Sequence, residues 1–292
     1  MIVLRSMLLV SALTLASGGC APHTAAVPTA AATASGSPSR DTHEQLQAVL
    51  WMQSSAEYWA LSAPVYSRAR AALDAAIADP SWTAALEQEG TNFSGLPMSV
   101  VMDLDETLFD NSTFQGQLVL DRTTYSPERW GRWVALAAAT EVPGAVDFVK
   151  YARARKVRVV FVTNRTAQEK PATLKNLDIL LGPGTPASDV LATDENGWSS
   201  DKSARRAFVA RTHRVLMLVG DDLNDFVSVA GAKAPSDRLA LAKQHSTKWI
   251  DRWVLLPNSA YGSWDRIIYA GLTTDPEILV KKRETVRGYE RK

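Results

Sequence analysis

Four carboxylates follow an apolar run in residues 99–112, SVVMDLDETLFDNS. They belong to Asp103, Asp105, Glu106 and Asp110. Carboxylates this close together repel one another at neutral pH, so a nearby cation is needed to balance them. Residues i and i+2 of an extended segment point to the same side, so Asp103 and Asp105 are expected to face one space. We therefore expect a site that binds a cation.

Three later segments also carry polar side chains at the end of an apolar run or the start of a helical stretch. These side chains are Thr163, Asn164 and Arg165, then Lys202, then Asp221 and Asp222. Ligands of open α/β sheets bind at the carboxyl ends of the strands, so we expect all four segments to meet at one edge. Convergence of four distant segments is stronger evidence for a site than any one of them.

The first stretch matches only the beginning of a calcium-binding EF-hand loop. Asp103, Asp105 and Thr107 match its first three ligand positions. The sixth position is Leu108 rather than glycine, and the twelfth is Phe114 rather than glutamate, so this interpretation fails.

The elements that must hold these residues are short apolar runs separated by helical stretches. The runs lack clean alternation, which predicts strands covered on both faces. Strands that alternate with helices predict an α/β fold with a parallel sheet and right-handed crossovers. The predicted strands are residues 98–104, 157–163, 214–220 and 252–257, and the predicted helices between them are residues 144–156, 166–177, 200–212 and 237–249.

The chain divides by composition into several regions. Residues 41–97 are mainly helical in pattern, and Pro64 is expected to kink or divide that helix. Trp130 and Trp133 share one face of a predicted helix in the insertion, a spacing that is more typical of core packing than of ligand contact. The predicted regions are a signal peptide (1–20), a flexible tether (21–40), a helical region (41–97), a core (98–272) with a cap insertion at about 110–142, and a tail (273–292).

Composition restricts the partners. The chain has 292 residues, 46% of them hydrophobic, which is enough material for a sizeable core. Its formal net charge is +1, so composition gives no argument for a nucleic-acid polymer as partner. The oligomeric state is left open, with a homodimer as one candidate.

Seven ordered motifs resemble one known family. DLDET at 103–107 is similar to the signature of haloacid-dehalogenase (HAD) phosphatases, and Thr163, Lys202 and GDDLND at 220–225 occupy the places of their remaining motifs. From about Gln45 to Trp264 the chain resembles the class C bacterial acid phosphatases, the lipoprotein acid phosphatase and 5′-nucleotidase group of HAD subfamily IIIB. The motifs are AVLWMQSSAEYWAL, DLDETLFDNSTFQ, VPGAVDFVKYA, FVTNR, DKSARR, GDDLNDF and LPNSAYGSWD.

The resemblance implies a HAD-like three-layer core with a smaller helical cap, built from the N-terminal helices and the insertion. It also implies a Mg²⁺ site. Asp103 would be the nucleophile and a side-chain ligand of the metal, and Asp105 would be the general acid and base and a backbone-carbonyl ligand. Asp221 would be the third protein ligand, and Asp225 would be a further ligand of the metal or would lie just outside its ligands.

Further roles follow from the same resemblance. Thr163 and the neighbouring backbone N–H, at Asn164, would bind the phosphoryl oxygens, and Lys202 would offset their charge. Tyr261 would stack on a nucleobase. The chain departs from the usual GDNLxDF at Asp222, which stands where the family has asparagine. This extra charge could tighten metal binding, or Asp222 could be an acid of raised pKa beside the metal ligands.

The function that we expect is Mg²⁺-dependent hydrolysis of small phosphomonoesters, nucleoside 5′-monophosphates among them, through an aspartyl-phosphate. Two alternatives remain open: a surface-anchored binding lipoprotein without catalysis, and a phosphotransferase that uses the same chemistry.

The N-terminus has the layout of an exported protein. Residues 1–20 contain Arg5, an apolar stretch and small residues that end at Cys20, the single cysteine of the chain. This layout resembles a bacterial lipobox, although Ser17 stands where leucine is usual. We expect a lipid anchor on Cys20 and a location in the outer membrane facing the periplasm, or at the cell surface.

Cys20→Ser should move the protein from the membrane fraction to the soluble periplasm or the medium, because the anchor would be lost. Cell fractionation with immunoblotting measures this, with Ser35→Ala as the matched control. Unchanged partitioning of Cys20→Ser would contradict a lipoprotein signal.

Overall fold

The computed structural model describes residues 43–289, which contain a five-stranded parallel sheet in the order β5-β4-β1-β6-β7. A separate antiparallel pair joins β2 and β3. The strands are β1 (Met98–Met102), β2 (Phe109–Asp110), β3 (Thr140–Glu141), β4 (Arg158–Val162), β5 (Val190–Leu191), β6 (Arg214–Gly220) and β7 (Trp253–Leu255).

Helices occupy the stretches between the strands, as the sequence pattern predicts. The predicted α/β fold with its parallel sheet is confirmed, and the four predicted strands are present, β6 with the predicted bounds and the other three slightly shorter. The helices are α1 (Leu46–Ser54), α2 (Ala56–Ala78), α3 (Ser112–Leu120), α4 (Pro127–Leu136), α5 (Ala145–Ala154), α6 (Lys170–Leu181), α7 (Ser203–Ala210), α8 (Pro235–Gln244), α9 (Ser263–Arg266) and α10 (Asp275–Thr285).

Both faces of the sheet are buried, which explains why its strands do not alternate between apolar and polar residues. Val100 and Met102 of β1 pack into a core shared with α2 and α5, whereas Val101 packs into a second core shared with α7. Successive side chains of a strand point to opposite faces, so β1 must be apolar at every one of these positions. The central strand is thereby fixed from both sides.

The N-terminal helices divide between the sheet and the insertion. Helix α2 packs against α5 and the sheet, whereas α1 contacts α3. Pro64 lies within the continuous helix α2, so of the kink or division expected at that residue the division is wrong. The break comes at Ser55, whose extended backbone ends α1 and whose hydroxyl accepts a bond from the backbone N–H of Tyr58.

The insertion between β1 and β4 contains α3, α4 and the β2–β3 pair. The short strand β5 was not expected, because two residues are too few to show a periodic pattern. None of the helices within residues 43–289 combines the length and the apolarity that crossing a bilayer requires. The predicted signal peptide, tether and Cys20 lie outside the described residues.

Candidate active site

The carboxyl ends of three neighbouring strands carry the candidate residues. Asp103 follows β1, Thr163 follows β4 and Asp221 follows β6, the strands that occupy the centre of the sheet. The backbone N–H of Asp103 donates to the Val219 carbonyl at 2.9 Å, which continues the pairing of β1 with β6 beyond the end of the strand. The sheet thus places two of the acidic segments beside each other.

Lys202 lies between two carboxylates. Its Nζ is 2.5 Å from Asp103 Oδ1 and 2.6 Å from Asp225 Oδ1, and only 4% of the residue is exposed. Burial by itself would lower the pKa of Lys202, but the attraction of Asp103 and Asp225 outweighs it and raises that pKa. Lys202 therefore remains a cation in the site.

Three carboxylates form a cluster that could hold a metal ion. One oxygen from each of Asp103, Asp221 and Asp225 lies within 4.8 Å of the others. Burial raises the pKa of Asp103 to about 7, and burial together with the neighbouring carboxylates raises the pKa of Asp221 well above its ordinary range. One ammonium cannot balance three carboxylates, and an all-oxygen ligand set suits a hard divalent cation.

The position of Asp225 depends on a glycine. A Cβ atom added at Gly220 would lie 2.2–2.4 Å from the side chain of Asp225, so a larger residue there would displace it. The short turn Leu223–Asp225 bends the chain back so that Asp225 Oδ2 accepts a 2.9 Å bond from the Asp222 N–H. This close approach explains the glycine in GDDLND.

Two further residues orient Asp221. The Thr107 hydroxyl donates to Asp221 Oδ1 at 3.1 Å, and Asn258 Nδ2 donates to Oδ2 at 2.8 Å. The Thr107 carbonyl in turn accepts a 2.6 Å bond from the Tyr66 hydroxyl of α2. Sequence reasoning missed Thr107 and Asn258 as supports, although both lie within motifs that it quoted.

The comparisons with known proteins agree with this geometry. The chain matches the family described as HAD superfamily, subfamily IIIB (Acid phosphatase) over residues 5–264. The chain belongs to this family. Among solved structures it is similar to the class C acid phosphatase from Bacillus anthracis, and to that enzyme with tungstate bound. Each is 30% identical with a TM-score of 0.74, over 84% of this chain and 98% of that chain.

The chain is therefore a phosphomonoester hydrolase, and the resemblance found in its motifs is confirmed. Its other candidate residues occupy the same edge of the sheet. The acid phosphatase holds Asp105 in an ion pair with the guanidinium of Arg165, with 2.7 Å between Nη2 and Oδ1. Arg165 is 2% exposed, and nothing in the sequence alone indicates that this arginine is buried.

Thr163 and Asn164 lie at the end of β4. The Thr163 hydroxyl is fully buried and accepts a 3.0 Å bond from the backbone N–H of Arg165. The Asn164 side chain is exposed, and its oxygen accepts a 2.7 Å bond from Arg205. Arg205 also donates to the Thr163 carbonyl, so this buried arginine, which sequence reasoning missed, fixes the peptide group between Thr163 and Asn164 as well as the Asn164 side chain.

Tyr261 reaches the site through Glu106. Its hydroxyl donates to Glu106 Oε2, and its ring packs against the small cluster that contains Tyr58. Glu106 has a left-handed backbone (φ 55°) that is unfavourable for a side chain of this kind, and it is completely buried. Burial, together with the charge of Asp105, raises the pKa of Glu106 well above its ordinary range.

Asp222 corrects one expectation. Burial would raise its pKa, but bonds from Ser263 and Asn224 and the charge of Arg238 outweigh burial and lower that pKa. The backbone N–H of Ser263 lies 2.6 Å from Asp222 Oδ2, and that of Asn224 lies 2.9 Å from Oδ1. Of the two outcomes left open for Asp222, the acid of raised pKa is therefore wrong, because donors around Asp222 stabilise its charged form.

The raised pKa of Asp103 makes the stability of the metal-free enzyme pH-dependent. Near pH 5 the folded state keeps a proton on Asp103 that the unfolded state has released, so the contribution of Asp103 to stability falls as the pH rises to 7. We expect wild type in EDTA to lose on the order of 2 kcal/mol more than Asp103→Asn over this range. Urea unfolding at both pH values measures the two losses, and equal losses would contradict the raised pKa.

Proposed function

We propose that the protein is a Mg²⁺-dependent acid phosphatase that works through an aspartyl-phosphate on Asp103. The observation that carries this proposal is the contact of Asp103 with Lys202 inside the carboxylate cluster with Asp221 and Asp225. A phosphomonoester dianion can approach a carboxylate only where cations offset both charges. One similar enzyme is described with tungstate bound, and tungstate is a tetrahedral oxyanion like phosphate.

The residues that would hold the metal are Asp103, Asp221 and Asp225 through their side chains and Asp105 through its backbone carbonyl. Their oxygen atoms suit a magnesium ion. In proteins this ion is usually bound by a few carboxylates together with oxygens of the substrate phosphate. When bound, the ion would supply charge neutralisation and orientation for the phosphoryl group.

The chemistry of the chain itself is a double displacement. The Asp103 carboxylate attacks phosphorus while the bond to the leaving oxygen breaks, and Asp105 gives that oxygen a proton. Water then attacks the phosphorus of the aspartyl-phosphate and loses a proton to Asp105. This attack breaks the bond between Asp103 and phosphorus, releases inorganic phosphate and restores the Asp103 carboxylate. Splitting the reaction in this way replaces one difficult step by two easier ones.

The remaining polar residues would stabilise the transferred group. Lys202, held charged by its two carboxylates, offsets the negative charge on the phosphoryl oxygens. Thr163 and the backbone N–H of Asn164 donate to the same oxygens. The fixed backbone at this strand end keeps those donors oriented before the substrate arrives.

Asp103→Asn should lower kcat/KM for p-nitrophenyl phosphate at least about a thousandfold, because it removes the nucleophile. Wild-type activity should stop in EDTA and return with Mg²⁺. Asp121→Asn, an exposed carboxylate of the insertion, is the control and should behave as wild type. Acid quenching during turnover, followed by peptide mass analysis, should find the phosphoryl adduct on Asp103; full activity of Asp103→Asn or of metal-free enzyme would contradict the mechanism.

We also propose that nucleoside 5′-monophosphates are among the substrates. The groups around the phosphoryl position would contact only the phosphoryl group and the metal of a bound substrate, so selectivity must come from residues farther out. Tyr261 is half-buried, its hydroxyl is fixed by Glu106, and its ring lies in a cluster with Met52 and Tyr58. An aromatic ring held in one orientation is suited to stack on a base.

Tyr261→Ala should lower kcat/KM for a nucleoside 5′-monophosphate about tenfold or more, because stacking on a base contributes about 1–3 kcal/mol. The loss for p-nitrophenyl phosphate should be smaller, since that ester has less ring to stack. Tyr261→Phe keeps the ring but loses the bond to Glu106, so any loss that it shows should be the same for both substrates. Equal losses for both substrates in Tyr261→Ala would identify Tyr261 as a packing residue.

We place the enzyme outside the cytoplasm, anchored through Cys20 to the outer membrane or at the cell surface. The support is the sequence of residues 1–20, where the single cysteine follows an apolar stretch and a patch of small residues.

A further inference from the structure

Asp105 is enclosed by a cradle of two buried donors, Arg165 and Asn111. The Arg165 guanidinium donates to Asp105 Oδ1 from Nη2 at 2.7 Å and from Nε at 3.1 Å, and Nε is also 3.2 Å from Oδ2. Asn111 Nδ2 donates to the same Oδ1 at 3.0 Å. Arg165 and Asn111 are 2% and 0% exposed, so water does not compete strongly for these bonds.

The amide of Asn111 can adopt only one orientation. The indole Nε1 of Trp133 lies 2.8 Å from Asn111 Oδ1, and an indole nitrogen is a donor without acceptor capacity. The Asn111 oxygen must therefore face Trp133, which turns Nδ2 towards the carboxylates. The same Nδ2 lies 3.3 Å from Glu106 Oε2, so one amide bridges two acidic side chains.

Arg165 is held on its other sides as well. Its Nη1 donates to the Thr173 hydroxyl at 3.3 Å, and its guanidinium lies 4.7 Å from the centroid of the Phe109 ring and 5.4 Å from that of Trp130. Trp130 and Trp133 lie three residues apart on α4, so one helix of the insertion supports both members of the cradle.

The two oxygens of Asp105 are consequently unequal. Oδ1 receives three donors, whereas within the part of the chain that the structure describes Oδ2 receives only the 3.2 Å bond from Arg165 Nε. A proton on Oδ1 would face three donor hydrogens at close range. We propose that Arg165 and Asn111 are positioning residues that fix the Asp105 carboxyl group and make Oδ2 the oxygen that carries the proton in catalysis.

This inference rests on the proposed function, in which Asp105 is the general acid and base. In the first half-reaction the O–H bond at Oδ2 breaks, and its proton joins the leaving oxygen as that oxygen takes the electron pair of the breaking P–O bond. In the second, the attacking water gives its proton to Oδ2, and the electron pair of the Asp103–phosphorus linkage returns to Asp103. A carboxyl group that rotates freely would be misaligned for both transfers.

A series of substrates with different leaving groups distinguishes a misplaced general acid from a loss of activity that affects every substrate. Expulsion of 2,4-dinitrophenolate needs no proton. Expulsion of methoxide from methyl phosphate, in contrast, requires that a proton be given to the leaving oxygen. Since kcat/KM reports only the steps up to leaving-group release, the later use of Asp105 as base does not mask the effect. The substrates are 2,4-dinitrophenyl, p-nitrophenyl and methyl phosphate, tested with the full chain and Mg²⁺.

Arg165→Lys and Asn111→Ala should each lower kcat/KM for methyl phosphate at least about tenfold and for the dinitrophenyl ester less than about threefold, because a general acid contributes about 10²–10⁴-fold. Inhibition by inorganic phosphate should be unchanged, since these variants leave the phosphate-binding residues of the enzyme intact. Trp133→Phe keeps an aromatic ring but removes the indole N–H that orients the Asn111 amide, so it should show the same trend more weakly. This variant tests the cradle even if the Arg165 variant fails to fold.

Arg214→Lys is the matched control. Arg214 is also a buried arginine (4% exposed), but it lies at the start of β6 and its guanidinium donates to the Asp79 and Ile77 carbonyls, away from the site. It should affect all three esters equally or not at all. A uniform loss in the Arg165 and Asn111 variants, with a selective loss in Asp105→Asn, would overturn the cradle alone. An equal loss of all esters in Asp105→Asn would overturn the acid role in the proposed function, and the cradle with it.

Discussion

The carboxylates of Asp103, Asp221 and Asp225 converge to within 4.8 Å in a place where little water reaches them. Burying an ion costs several kcal/mol unless an opposite charge is close, and Lys202 satisfies only part of that requirement. Raised pKa values for the carboxylates are the direct consequence, because protonation is the remaining way to reduce the repulsion. The same deficit of positive charge favours a divalent cation and a site for an anionic phosphoryl group beside it. Stability and the proposed catalysis therefore depend on one electrostatic imbalance.

Such a cluster needs a scaffold that does not relax to separate the charges. The central strand β1 is buried on both faces, and the Asp103 N–H extends its pairing with β6. Helix α2 adds a second constraint, since the Tyr66 hydroxyl holds the Thr107 carbonyl while the Thr107 hydroxyl holds Asp221. The left-handed backbone of Glu106 belongs to the same loop and persists because Asn111 and Tyr261 bond to its carboxyl group. Packing far from the phosphate position thus maintains the geometry at it.

The sequence predicted the parts of the site that follow directly from strand order. Asp103 and Asp221 could be placed together because each ends a buried apolar run, and the ends of neighbouring parallel strands are adjacent. The ion pair of Asp105 with Arg165 could not be predicted, since an arginine is usually exposed and its burial here depends on Phe109, Thr173 and Trp130. The division of the helix that was one of two outcomes expected at Pro64 does not occur, because packing of the buried face of α2 overrides the local preference of proline to end a helix. What pattern analysis lacks is the tertiary environment of each polar side chain.

Asp222 shows how that environment decides the effect of a substitution. Family resemblance predicts an asparagine at this position, and an added carboxylate beside three others would increase their repulsion. The structure instead surrounds Asp222 with the Ser263 N–H and hydroxyl, the Asn224 N–H and the guanidinium of Arg238 at 3.6 Å. These donors belong to the turn Leu223–Asp225, to α8 and to the segment that follows Tyr261, so the charge of Asp222 joins three elements at the edge of the site. An amide could accept some of these bonds, but it would leave the buried Arg238 without its counter-charge. The carboxylate at position 222 and the arginine at position 238 are therefore best understood as a pair, in which each makes the burial of the other tolerable.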